Sequence, residues 1–134
     1  MTPFKLKIVT PDGLKYDGMA EMVVARTTTG EIGIMAKHIN VVAPLGMGRA
    51  LITADGKQRQ AACIGGLLSV IGGEVNLVPT TFEWAEDIDV KRAEKAMTES
   101  KELIARKDVS QMELKIAEAR LKRALVRLGV AQEK

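Results

Sequence analysis

The stretch AEDIDVKRAEKA, residues 85–96, is where the hydrophobic period of the chain changes, and its reading decides the fold. Before it, apolar and polar residues alternate as they do along half-buried strands. After it, apolar residues recur every three or four positions, as on one face of a helix. Asp89 opens that helical pattern, where an acceptor stabilises the positive end of the helix dipole. Arg92 follows one turn later with opposite charge, and only the small Ala93 stands beside it.

Working back from this boundary, the first half is punctuated by turns. FKLKI alternates Phe4, Leu6 and Ile8 with Lys5 and Lys7, and TPDG then supplies a tight turn from Thr10. RALITADGKQRQAACI is an apolar run, an Asp55-Gly56 hairpin signal and a second run. LLSVIGGEVNLV repeats the device with Gly72-Gly73. Short strands at this spacing predict a small sandwich or flattened barrel.

Working forward, no Gly or Pro appears from residue 85 until Gly129, and two helices are expected. The first carries a sparse stripe of Val90, Ala93, Met97 and Ile104, with Ala96 and Ser100 nearby. The second opens at SQME, where Ser110 and Glu113 have capping-box spacing. Its stripe is Leu114, Ala117, Leu121, Ala124, Leu125 and Leu128, a heptad-like seam. Only the residues around RKDVS separate the two, which predicts an antiparallel hairpin. An alanine-rich pair of this length buries little apolar surface, so it needs a partner.

Charge is concentrated on the second helix. The net charge is +3, yet between Lys115 and Leu128 there are five basic residues and a single acid, Glu118. Arg120, Arg123 and Arg127 share one helical face. Two readings stand: a solvated basic face, or, with Arg92 brought close by the hairpin, a cluster that holds an anion. Phosphate suits the second, because guanidinium forks donate paired hydrogen bonds to its oxygens. Asp89 also has two readings, a dipole-stabilising acid or an acceptor for an exocyclic amine such as adenine's, with Ala93 leaving room for a flat ring beside Ile88.

Several classes are disfavoured. IGGLLSVIGG has neither a Walker loop nor a nucleophile elbow, and no paired acid, base and nucleophile is evident. Cys63 is the only cysteine and His38 the only histidine, which leaves no disulfide and no Cys/His metal site. Cys63 is expected to be buried, His38 to lie near a turn, and six methionines (Met19, Met22, Met35, Met47, Met97, Met112) to fill the core or an interface. No apolar run approaches a membrane span and the start has no signal-peptide pattern, so a cytoplasmic chain is expected. A free-standing anion or nucleic-acid binder using the basic helix is the alternative function; the four aromatics are too few for a base-stacking platform.

Taken in order, VTPDG, GEIGIMAKHINVVAPL, IGGLLSV, DIDVKRA and LKRALVRLGVAQ closely resemble the epsilon-subunit family of bacterial F-type ATP synthases from end to end. The resemblance implies an α+β chain: a ten-stranded β-sandwich over residues 1–84, then a regulatory two-helix hairpin over 85–134. It implies a non-catalytic rotor subunit whose sandwich binds the gamma subunit and the c subunits of the rotor ring, coupling proton-driven rotation to ATP synthesis. The expected location is peripheral, on the cytoplasmic face of the cell membrane, with no nucleic-acid partner.

For the hairpin, the resemblance implies two positions. Extended, its Lys115, Arg120, Lys122, Arg123 and Arg127 meet acidic beta-subunit residues, near alpha, and block ATP hydrolysis. Folded down, it binds ATP as a regulatory ligand, with no cofactor required, through Glu83, Ile88, Asp89, Arg92, Ala93, Arg123 and Arg127. Two positions depart from the family pattern. Glu99 stands where ATP-binding members can carry an arginine, and it would repel phosphate. AKHIN replaces PGHxP, so Lys37 and Asn40 alter a loop that, with Glu31 and His38, the resemblance puts at the rotor ring.

Overall fold

A computed structural model describes residues 2–132. Two compact units divide the chain, one reaching Trp84 and the other starting at Ala85. The first holds ten strands: β1 (Phe4–Thr10), β2 (Gly13–Ala20), β3 (Met22–Thr27), β4 (Gly30–Ile34), β5 (Val41–Pro44), β6 (Met47–Ala54), β7 (Lys57–Ile64), β8 (Leu67–Ile71), β9 (Glu74–Val78) and β10 (Thr81–Trp84). They form two five-stranded sheets of order β2-β1-β9-β8-β5 and β10-β7-β6-β3-β4, a sandwich rather than a barrel. Every pairing is antiparallel except that of β1 with β9.

Alternation along the strands builds the core. Leu6 and Ile8 of β1, Leu68 and Val70 of β8, and Val75 and Leu77 of β9 point inward from one sheet; Val23, Ala25, Ile34, Ile52 and Phe82 meet them from the other. Asp55 and Gly56 have φ of 52° and 72°, and Gly72 and Gly73 have 58° and 82°. Both pairs match the right-handed strand twist as two-residue hairpin turns should. The chain crosses between sheets at Gly65-Gly66, where a Cβ on Gly66 would lie 2.1 Å from the Val78 carbonyl oxygen. Side-chain volume at that crossing would force the strands apart.

One end of the core is closed by Trp84. Its ring packs edge-on to Phe82 with centroids 4.9 Å apart, and the Arg59 guanidinium lies 3.6 Å over it. Cys63 is buried, and burial pushes its thiol up to about 12, so it stays protonated and inert at neutral pH. Among the described residues the methionines stay out of the fully buried core, and Met19, Met35 and Met112 are exposed.

The second unit is a short 3-10 turn (Ala85–Asp87), α1 (Val90–Ala105) and α2 (Gln111–Gln132). Ser110 Oγ accepts from the Glu113 amide at 3.1 Å and caps α2. In the connection, Arg106 donates two hydrogen bonds to Asp108, at 3.0 and 2.8 Å, and these hold the Asp108 carboxyl below the usual range. The helices pack on each other, and α2 also reaches the 3-10 turn. Their buried positions are Ala93 and Ser100 on α1, and Ala117, Ala124, Val130 and Ala131 on α2. The expected apolar stripes need correcting here: Val90 and Leu125 are exposed, and apart from Val130 the buried positions of the two helices are small residues seven apart. Small side chains let helix axes approach closely, which leaves the larger stripe members at the margins.

Two loop expectations also change. Glu31 sits near the β3–β4 turn, paired with Arg26, whereas His38 lies beyond the far end of β4. At about 3.3 Å per residue the rest of β4 alone separates them by roughly 10 Å, so they do not share one loop. The AKHIN segment keeps a tight turn although Lys37 replaces glycine: Lys37 has φ 65°, and the Asn40 side chain accepts from the Gly72 amide at 3.0 Å. A left-handed residue bearing a Cβ costs about 1–2 kcal/mol. Lys37→Gly should therefore stabilise the fold by about 0.5–1 kcal/mol after the added unfolded-state freedom of glycine, read as a higher urea midpoint with an unchanged m-value.

Candidate functional site: the start of the first helix and the basic second helix

Asp89 is the N-cap of α1, with extended backbone (φ −79°, ψ 95°) and a side chain that accepts from the Arg92 amide at 3.1 Å. One carboxylate oxygen is thus committed to the helix, and the other remains available as an acceptor. Ile88 and Ala93, on either side, are 7% and 4% exposed. Arg92 itself is exposed, while Arg123 and Arg127 are half-buried.

Facing residues across the hairpin are set by one contact. Arg120 donates to Glu99 at 2.8 Å, from α2 to α1. In an antiparallel pair, moving seven residues back along α1 moves seven forward along α2. The relation that joins Glu99 to Arg120 therefore sets Arg92 about level with Arg127, while Ala93 and Ser100 on α1 and Ala117 and Ala124 on α2 are the buried seam positions. Opposite charges face each other at one level and like charges two turns away. Arg123 is one turn from Arg127, so three guanidinium groups occupy one stretch of the hairpin.

The sequence residues are therefore not all brought together. Ile88, Asp89, Arg92, Ala93, Arg123 and Arg127 belong to the same end of the hairpin. Glu83 belongs to the other unit, on β10 opposite Ala62. Lys115 and Lys122 are exposed on α2, and Arg120 is engaged by Glu99. Glu99 differs from its expected role in that its carboxylate joins the two helices. With the side chains 40% and 42% exposed, this ion pair contributes at most about 1 kcal/mol.

Sequence reading missed a second surface. On the outer face of the first sheet, Leu14, Val9, Val78, Leu67 and Pro44 come level across β2, β1, β9, β8 and β5, Val9 falling one step beyond the Ile8–Leu77 pair. Leu67, Val78, Val42 and Ile71 are between 52% and 62% exposed, and Ile39 beside β5 is 78% exposed. The available signal was LLSVI: a strand apolar at both alternating sets of positions has an outer face to cover.

Two family profiles account for this arrangement, "ATP synthase, Delta/Epsilon chain, beta-sandwich domain" over residues 3–85 and "ATP synthase, Delta/Epsilon chain, long alpha-helix domain" over residues 86–132. The chain belongs to the delta/epsilon chain family of ATP synthases. It is 40% identical over 134 residues to the ATP synthase epsilon chain of Shouchella clausii, covering 100% of this chain and 98% of that one. It is 39% identical over 133 residues to that of Caldicellulosiruptor bescii, covering 99% and 96%. Among solved structures, a chain of the Euglena gracilis mitochondrial ATP synthase (OSCP/F1/c-ring) matches with a TM-score of 0.84 and 22% identity over 98% of this chain and 82% of that one. A chain of the Tetrahymena thermophila mitochondrial ATP synthase central stalk and c-ring matches with a TM-score of 0.67 and 13% identity, over 95% of each. These two matches bear on the fold alone. The DIDVKRA stretch thus lies at the opening of the epsilon chain's helical domain.

Removing the cap separates helix stability from any ligand role. Asp89→Ala should destabilise the hairpin by about 1 kcal/mol, read as faster hydrogen exchange in α1, while Asp89→Asn, an equally good cap, leaves exchange within twofold of the parent.

Proposed function

We infer that the chain is a non-catalytic epsilon subunit in the central stalk of a proton-translocating ATP synthase. Its sandwich docks on the gamma subunit and the c subunits of the rotor ring, at the cytoplasmic face of the cell membrane. The observation that carries this reading is the apolar outer face of the first sheet. Several large aliphatic side chains on adjacent strands mark a protein interface rather than a solvated surface. Association is peripheral: no helix among the described residues is long and apolar enough to cross a membrane. Glu31 and His38, near opposite ends of β4, both face the ring in this reading.

Regulation falls to the hairpin. Extended, α2 presents Lys115, Arg120, Lys122, Arg123 and Arg127 to acidic residues of the beta subunit, beside alpha, and blocks hydrolysis. Packed, the hairpin binds ATP. The alignment of Arg92 with Arg127 and Arg123 supports a triphosphate clip, because guanidinium forks donate paired hydrogen bonds to phosphate oxygens. Asp89, through its second oxygen, and Ile88 take the adenine beside Ala93. ATP at about 100 times its Kd would favour the packed form by roughly 2.7 kcal/mol. Glu99 offsets part of this by repelling phosphate and holding Arg120.

Two measurements test these assignments. Val42→Asp with Leu67→Asp should lower recovery of gamma with the tagged chain at least tenfold while leaving the circular dichroism unchanged; full recovery removes the docking face. Calorimetric titration with ATP should show Arg92→Ala and Asp89→Asn each weakening binding about tenfold. Equal affinity in both variants removes the nucleotide site.

A further inference from the structure

The residue beside the interhelical ion pair carries an unmet requirement. Ser100 is 0% exposed, and its Oγ has no hydrogen-bond partner. A helical hydroxyl has an easy local solution, donating to the carbonyl four residues back, and Thr98 takes it, with Oγ1 donating to the Glu94 carbonyl at 3.1 Å. Ser100, two residues on in the same helix, does not. Its position is not neutral either: it lies seven residues from Ala93, the other buried residue of α1, where the same helix uses a methyl group.

We propose that Ser100 is a built-in release element, a buried hydroxyl that penalises the packed form of α1 and keeps the hairpin close to balance. Once α1 leaves its packing, water satisfies the hydroxyl, so the cost falls on the packed form alone. Its immediate neighbours compensate little: the seam alanines bring little area, and the adjacent Glu99–Arg120 pair is half exposed. An unsatisfied buried hydroxyl corresponds to a factor of about five to 150 in such an equilibrium. Ser100 therefore acts on the position of the hairpin without touching any ligand. This goes beyond the nucleotide site and does not depend on it; it shares with the regulatory reading only the premise that the hairpin opens.

Hydrogen exchange of the full-length chain, with and without Ser100→Ala, tests the proposal. Amides along α1 and the facing part of α2 should exchange at least fivefold more slowly in the variant, with the sandwich unchanged. Alanine is also the better helix former, worth about twofold, so Thr98→Ala, at an exposed site of the same helix, serves as the control. A Ser100→Ala effect no larger than that of Thr98→Ala, or faster exchange, overturns the proposal. Slower exchange that leaves ATP hydrolysis by the assembled synthase unaltered upholds it and removes the regulatory reading instead.

Discussion

A methyl group buries about a quarter to a half of the surface energy that a leucine side chain does, and the second unit is built around that limit. Ala117, Ala124 and Ala131 on α2, and Ala93 and Ser100 on α1, recur at heptad spacing where a stable helical pair would carry leucines. Helices can approach closely along such a seam, but little holds them there. Each remaining interaction in the hairpin then matters more than it would in a leucine core: the Asp89 and Ser110 caps, the Arg106–Asp108 clip in the connection and the Glu99–Arg120 pair. None is large. A segment held by several small terms can be moved by one ligand or one partner, and the sandwich, with its continuous aliphatic core, cannot.

Much of this was legible from the chain. The change of period at residue 85 located the two units because strand and helix alternate at incompatible spacings, and no Gly or Pro interrupts the second. Asp55-Gly56 and Gly72-Gly73 identified their hairpins because few residue pairs tolerate positive φ twice. The seam was legible only in part. Spacing placed Val90 and Leu125 on the apolar stripes, but a small-residue contact is narrow, and side chains one position off it reach solvent. The docking face was missed for a related reason. In LLSVI and VNLV both faces of the strand are apolar, and alternation says nothing about which set faces the core when neither is polar.

Glu99 marks the limit of reading charge one residue at a time. Against a phosphate it is a repulsive group; against Arg120 it is a fastener between helices. Only the antiparallel register distinguishes these, and register is a property of the pair. The same register makes the hairpin uneven: Arg120 meets a carboxylate near its middle, and Arg92 comes about level with Arg127 near the start of α1. The nucleotide proposal draws on that register as well as on the count of arginines.

That unevenness also weighs against a free-standing polyanion binder. Such a protein gains affinity from basic side chains spread along an open surface, each releasing counterions independently. Here Arg120 is paired within the hairpin, Arg123 and Arg127 are half-buried beside the seam, and only Lys115 and Lys122 of the five basic residues on α2 are fully outward. Freeing Arg120 requires its pair with Glu99 to break, so the basic face is fuller in an opened hairpin than in the packed one. A surface completed only on opening suits a subunit whose partner is already fixed nearby. For a soluble binder searching for nucleic acid, the same arrangement would tax every encounter with the cost of opening.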